Sequence, residues 1–213
     1  MFEFTVDSPH LTQALGEALG KLVRGGDLLM LTGDLGAGKT TFTQGLGRGM
    51  NVTGRVASPT FIISRVHPGQ EDEQGVKGPD LVHVDAYRIT DLDDLETLDL
   101  DTLLTEAVVV VEWGEGKTES LSEQRLEITL TSEVVAPDLS AGTHGVNLED
   151  LDTGRRVICF NPIGDRWDEA QLQATLTAAL EKAKESSVRE MTAEPGVKNT
   201  AGNHAVDATQ EEN

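Results

Sequence analysis

The chain has a single cysteine, Cys159, so an internal disulfide is excluded. In Arg156-Val157-Ile158-Cys159-Phe160 it reads as a small buried hydrophobe on a strand, with no histidine close in sequence to make it a nucleophile. Positive charge is also scarce. Seventeen basic against 37 acidic side chains give a formal net charge of −20, a surface that repels nucleic-acid phosphates. Direct, independent binding of DNA or RNA is thereby disfavoured, whereas work on a nucleic acid through a basic partner is not. The opening Met1-Phe2-Glu3-Phe4 has no basic segment, and no apolar run approaches a membrane span, so the expected location is cytoplasmic, away from membranes. There is no internal repeat and no Asn-Lys-x-Asp guanine motif, and ten arginines are spread thinly without a lid-like cluster.

Against these absences stands Gly33-Asp34-Leu35-Gly36-Ala37-Gly38-Lys39-Thr40, which fits G-x-x-x-x-G-K-[ST]. Before it, Asp27-Leu28-Leu29-Met30-Leu31-Thr32 reads as a buried strand. After it, Phe42, Leu46 and Met50 recur every four residues, as on one helix face. Strand, glycine loop and helix in that order form a cradle for phosphate. Glycines let the backbone approach the anion, successive N–H groups point inward, and the helix dipole adds partial positive charge. In that setting Lys39 reaches the β- and γ-phosphates, and the Thr40 hydroxyl is the expected Mg²⁺ ligand.

The remaining pattern is that of an α/β chain at a length that accommodates one domain with additions. Phe2, Phe4 and Val6 alternate as in a strand with one buried face. Asp7-Ser8-Pro9 then opens a helix with Leu11, Leu15, Ala18, Leu19 and Leu22 on its apolar face, where Thr12 reads as an exposed first-turn residue. A strand is expected over 61–66, a solvated Gly/Pro-rich acidic loop over 67–79, and a strand over 81–85. Leu92, Leu95 and Leu98 mark a short acidic helix, and Leu100, Leu103 and Leu104 another turn. Val108-Val109-Val110-Val111 fits a central parallel strand covered on both faces. Alternation at Leu126, Ile128 and Leu130, with a partner strand around 157–160, predicts antiparallel strands joined by a long connection over 133–154. Leu172, Leu176 and Leu180 place a terminal helix ending near Lys184, so the domain is expected over 1–185 and a disordered tail over 186–213.

Hydrolysis needs more than a cradle: a metal held in place and a group that orients the attacking oxygen. Asp85 and Glu112 each end a predicted strand at the sheet edge where the loop emerges. The valine run makes Glu112 the better second contributor to Mg²⁺ and leaves Asp85 to orient or deprotonate the nucleophile, although their roles are interchangeable in sequence. Thr60 in Ser58-Pro59-Thr60-Phe61 is either a switch-loop threonine or part of a proline turn. Arg88 reads as a surface ion-pair residue, His83 as packed within its strand, and Trp113 as core or site wall.

Together, Gly33 to Thr41, Ser58-Pro59-Thr60-Phe61, His83-Val84-Asp85-Ala86-Tyr87-Arg88 and Glu112-Trp113 resemble the TsaE family, small bacterial ATPases required for threonylcarbamoyladenosine on tRNA. The resemblance implies a P-loop NTPase-like three-layer sandwich, its parallel core sheet flanked by antiparallel strands. It implies that ATP is held by Gly33, Asp34, Leu35, Gly36, Ala37, Gly38, Lys39, Thr40 and Thr41, with Thr12 nearby, and Mg²⁺ by Thr40 and Glu112. Asp85, Lys39 and Thr60 would serve hydrolysis. The implied partner is a TsaB–TsaD heterodimer, with tRNA met only indirectly. The segments 67–79, 133–154 and 186–213 look like additions to the family's usual chain. Competing readings are an autonomous P-loop kinase of a metabolite or nucleoside, a GTPase switch, and a nucleotide-sensing scaffold without hydrolysis.

Overall fold

Four adjacent valines require apolar cover on both sides of their strand, since alternate side chains point to opposite faces. A computed structural model, which describes residues 1–59, 63–88, 100–134 and 152–192, provides that cover. The elements run β1 (Phe2–Val6), α1 (Pro9–Gly20), β2 (Leu28–Thr32), α2 (Lys39–Gly49), β3 (Ser64–His67), β4 (Leu81–Asp85), a 3-10 turn (Ala86–Arg88), α3 (Leu100–Leu103), β5 (Val108–Glu112), a second 3-10 turn (Glu119–Leu121), β6 (Arg125–Val134), β7 (Asp152–Ile163) and α4 (Glu169–Thr192). All seven strands form one sheet in the order β1-β7-β6-β2-β5-β4-β3. Val108 and Val110 face the side carrying α1, α2 and α4, while Val109 and Val111 face α3. Each fully buried valine contributes about 1.5–3 kcal/mol relative to exposure.

The sheet is mixed, as expected, but one strand runs against expectation. β6 pairs parallel to β2, with Leu28 opposite Arg125 and Thr32 opposite Thr129. The parallel core is therefore β6-β2-β5-β4, and among the described residues β7, β1 and β3 are the strands added through antiparallel pairing. Side-chain alternation reports which faces are covered, and it is the same for either strand direction.

The two helices on the first face, α1 and α2, press on each other through their backbones. Ser8 caps α1, its hydroxyl accepting from the Leu11 N–H at 3.4 Å, and Pro9 begins the helix. Gly16 and Gly20 of α1 meet α2, and Gly45 and Gly49 of α2 meet α1. A methyl group on Gly16 would overlap the Phe42 carbonyl oxygen, and one on Gly45 the Gln13 carbonyl oxygen. Phe42 and Leu46 fill the space between α2 and the sheet, each with no exposed surface. At the start of β2, buried Asp27 binds Arg166 through both carboxylate oxygens at 2.7 Å, tying the sheet to the segment before α4.

Several boundaries move. The helix expected to end near Lys184 continues to Thr192, and 193–213 lie outside the described residues. β6 and β7 take in 133, 134 and 152–154 from the expected connection, and 135–151 lie outside the description. His67 closes β3, and the loop after it contains a Glu71–Lys77 bridge, tightened where Asp72 accepts from the N–H groups of Gln74 and Val76 at 3.0 and 2.8 Å. The expected helix around 92–98, and Phe61 and Ile62 of the expected strand, fall outside the described residues. Among the described residues, no helix is long and apolar enough to cross a membrane.

Candidate active site

Parallel pairing brings the ends of β2, β4 and β5 to one edge of the sheet. Leu31 and Asp85 both lie opposite Glu112 in register, so the glycine loop leaving β2 meets both acids predicted from sequence. A cleft of about 310 Å³ results, lined by Leu35, Gly36, Gly38, Lys39, Thr40 and Thr41 together with Ser58, Asp85, Glu112 and Trp113.

The loop is shaped by its neighbours. Gly33 has φ +145°, and a side chain there would overlap the carbonyl oxygen of Leu130 on β6. Gly38, with φ +107°, is the first cap of α2, a conformation that favours glycine. Between them the Ala37 N–H donates to the Asp34 carbonyl at 3.1 Å, forming a tight turn with Leu35 at its tip, 93% exposed. The outer side of this turn is held by Arg156 on β7, which donates to the carbonyls of Ala37 at 3.2 Å and Gly36 at 3.3 Å. A trans peptide directs N–H and C=O oppositely, so fixing the Ala37 carbonyl outward fixes the Gly38 N–H on the other side. Thr12 is only 2% exposed, which corrects its reading as a surface residue. It lies under the loop, where a methyl group on Gly38 would come 3.9 Å from its Cγ2.

Lys39 is 5% exposed, and its ammonium donates to the carbonyls of Gly33 at 2.6 Å and Asp34 at 3.0 Å. It also sits 3.9 Å from the ring centre of Trp113, a cation–π contact of roughly 0.5–2 kcal/mol. Burial lowers its pKa below the ordinary lysine range, opposed by the carboxylates of Glu112, Asp85 and Asp34. Trp113 reaches this position because the chain leaves β5 with φ +63°, a conformation that costs a bulky residue roughly 1–3 kcal/mol. Its backbone N–H donates to the Leu31 carbonyl at 3.2 Å, and its ring meets Tyr87 edge-on at 5.5 Å.

The Thr40 hydroxyl donates to Glu112 Oε1 at 3.2 Å, and His83 Nε2 lies 2.8 Å from the same oxygen. Asp85, 5% exposed, accepts from the Tyr87 N–H at 3.0 Å and from the Ser58 hydroxyl at 3.5 Å. Hydroxyl and carboxylate oxygens suit Mg²⁺, which takes one or two protein ligands and completes its octahedron with phosphate and water. Among the described residues no group of three or more His, Cys, Asp or Glu forms a metal cage, so these donors fit a metal shared with a phosphate and not one caged by protein alone. Thr60 and the Arg88 side chain lie outside the described residues. Cys159 is half-buried on β7, where burial raises its thiol pKa.

Two contributors escaped the sequence reading. His83 is the packed, hydrogen-bonded strand residue that the sequence suggests, but its partner, a site carboxylate, is not legible there. Arg156 is separated from Gly36 by 120 positions, and no local pattern marks it. The loop, its strand–helix setting and the acids at neighbouring strand ends define a phosphate-loop α/β protein of the nucleotide-binding kind. A family model for Threonylcarbamoyl adenosine biosynthesis protein TsaE matches residues 6–137. The tRNA threonylcarbamoyladenosine biosynthesis protein TsaE of Streptomyces coelicolor is 58% identical over 159 residues, spanning 74% of this chain and 95% of its own. The protein of the same name from Bacillus subtilis is 40% identical over 124 residues, 58% of this chain and 73% of its own. The crystal structure of Bacillus subtilis YdiB aligns with a TM-score of 0.55 and 29% identity, covering 83% of this chain and 94% of that one. The chain belongs to the TsaE family.

Proposed function

We propose that the protein binds ATP with Mg²⁺ and hydrolyses it as the ATPase subunit of threonylcarbamoyladenosine modification of tRNA, acting on a TsaB–TsaD-type heterodimer in the cytoplasm. The observation that carries this reading is the convergence of Lys39, Thr40, Asp85 and Glu112 on one cleft beside the loop. Residues 33–41 hold the nucleotide, and Thr12 supports them from below. The Lys39 ammonium exchanges its carbonyl partners for phosphate oxygens, and Trp113 walls that side of the cleft against water. Thr40 and Glu112 hold Mg²⁺, which when bound neutralises charge on the β- and γ-phosphates. Asp85 orients the attacking water and accepts its proton, held in place by the Tyr87 N–H and the Ser58 hydroxyl. Thr60 belongs to a switch-like loop that follows the state of the γ-phosphate. A net charge of −20 leaves contact with RNA to another subunit.

The decisive experiment measures phosphate release from ATP with and without purified heterodimer and tRNA. Slow turnover alone and stimulation by the complex are expected. Lys39→Ala should lower nucleotide affinity by roughly 100-fold or more, the loss of several charge-assisted hydrogen bonds. Glu112→Ala should mainly weaken Mg²⁺-dependent hydrolysis. Full stimulated turnover in both variants would overturn the site assignment, and rapid transfer of phosphate to a small acceptor would favour the kinase reading.

A further inference from the structure

His83 has no exposed surface, and its Nδ1 has no hydrogen-bond partner among the described residues. Its polar contact is Nε2 with Glu112 Oε1 at 2.8 Å. A histidine buried only for packing leaves two ring nitrogens to be satisfied, and an apolar side chain would fill the same space without that cost. Since a carboxylate only accepts, Nε2 is the donor to Oε1. The Thr40 hydroxyl loads the same oxygen at 3.2 Å. Two donors, one from the strand beside Glu112 and one from the first turn of α2, therefore converge on Oε1, and Oε2 accepts no hydrogen bond among the described residues.

We propose that His83 is a positioning residue for Glu112: by donating to Oε1 from the neighbouring strand, it fixes the carboxylate in the orientation in which Glu112 would hold Mg²⁺. This rests on the assignment of Glu112 to the metal made above. A glutamate has three side-chain torsions, and a flexible one must be ordered each time a metal arrives. His83 supplies that order in advance, as outer-sphere partners of metal ligands do, where their loss costs roughly 10–100-fold in metal affinity or activity.

The test is ADP binding by calorimetry on the full chain over a series of Mg²⁺ concentrations and in EDTA, so that no turnover is needed. His83→Leu is expected to raise the Mg²⁺ concentration for half-maximal effect by roughly 10–100-fold, with ADP affinity in EDTA unchanged. His83→Gln, whose amide nitrogen occupies the Nε2 position, should stay within about threefold of the native protein, whereas the shorter His83→Asn should resemble His83→Leu. The Asn–Gln pair carries the test if the leucine variant does not fold. Native Mg²⁺ dependence in both the leucine and asparagine variants, or a glutamine variant as defective as asparagine, would overturn the proposal. Glu112→Ala separates the two levels of inference. If it alone is defective, His83 has no positioning role; if it too behaves like the native protein, Glu112 is not the metal residue.

Discussion

The centre of the sheet, β2, β5 and β4, and its wing of β6, β7 and β1 solve the same burial problem differently. In β2, β4 and β5 both faces are closed: Leu29, Leu31, Val108 and Val110 lie under the helices, while Leu28, Met30, Val109 and Val111 pack with Leu100 and its neighbours. In β6, β7 and β1 the buried apolar side chains all lie on the helical face: Leu126, Ile128, Leu130, Ile158, Phe160, Phe2 and Val6. Their other face is more open and mixed, with Val157, Cys159 and Ile163 only half-buried and Glu127 bound to Arg125 at 2.8 Å and to Asn161 at 2.9 Å. The site lies on the seam between them. The core supplies the acids and the root of the loop, and the wing supplies the Leu130 carbonyl that excludes a side chain at Gly33 and the guanidinium that holds Gly36 and Ala37.

The contrast is open to test by placing one charge on the same face of the two regions. Val109→Asp should cost more than about 4 kcal/mol and leave little folded protein, because it buries an unpaired carboxylate. Thr129→Asp, on the same face of β6, should stay within about 0.5 kcal/mol. Equal losses in urea melts would mean that the wing is covered as deeply as the core. A smaller effect tests the helical cover common to both. Gly45→Ala should destabilise by roughly 1–3 kcal/mol even though alanine is the better helix former, since its methyl collides with the Gln13 carbonyl. An alanine variant as stable as the native chain would show that α1 and α2 separate at little cost. The smallest change concerns the wing's part in the site. Arg156→Gln should weaken ADP binding by about tenfold, roughly 1.4 kcal/mol, with an unchanged melting temperature. Unaltered affinity would confine the wing to a structural role.

Much of this division is visible in the primary structure. Uninterrupted valines before Glu112 and alternating residues after Arg125 mark two-sided and one-sided burial, and the glycine loop marks the seam. The direction of β6 was not legible, because alternation is identical in parallel and antiparallel pairs. Thr12 was legible through the family resemblance alone: a search for apolar periodicity passes over a threonine, and the glycine loop that approaches it comes from elsewhere in the chain. The closeness of α1 and α2 was written in Gly16, Gly20, Gly45 and Gly49, but glycine carries no hydrophobic signal and reads as weakness in a helix. His83 and Arg156 act through contacts that only the assembled sheet creates.

The ammonium resting on Trp113 has a practical consequence. The chain has two tryptophans, and the other, Trp167, is 8% exposed and stacked under Arg166. An indole whose emission is perturbed by a nearby cation changes colour or intensity when that cation leaves for an incoming anion. On the role proposed for Lys39, the protein carries an intrinsic optical reporter at the mouth of its cradle, and with Trp167→Phe as background, ligand arrival should be readable without any label.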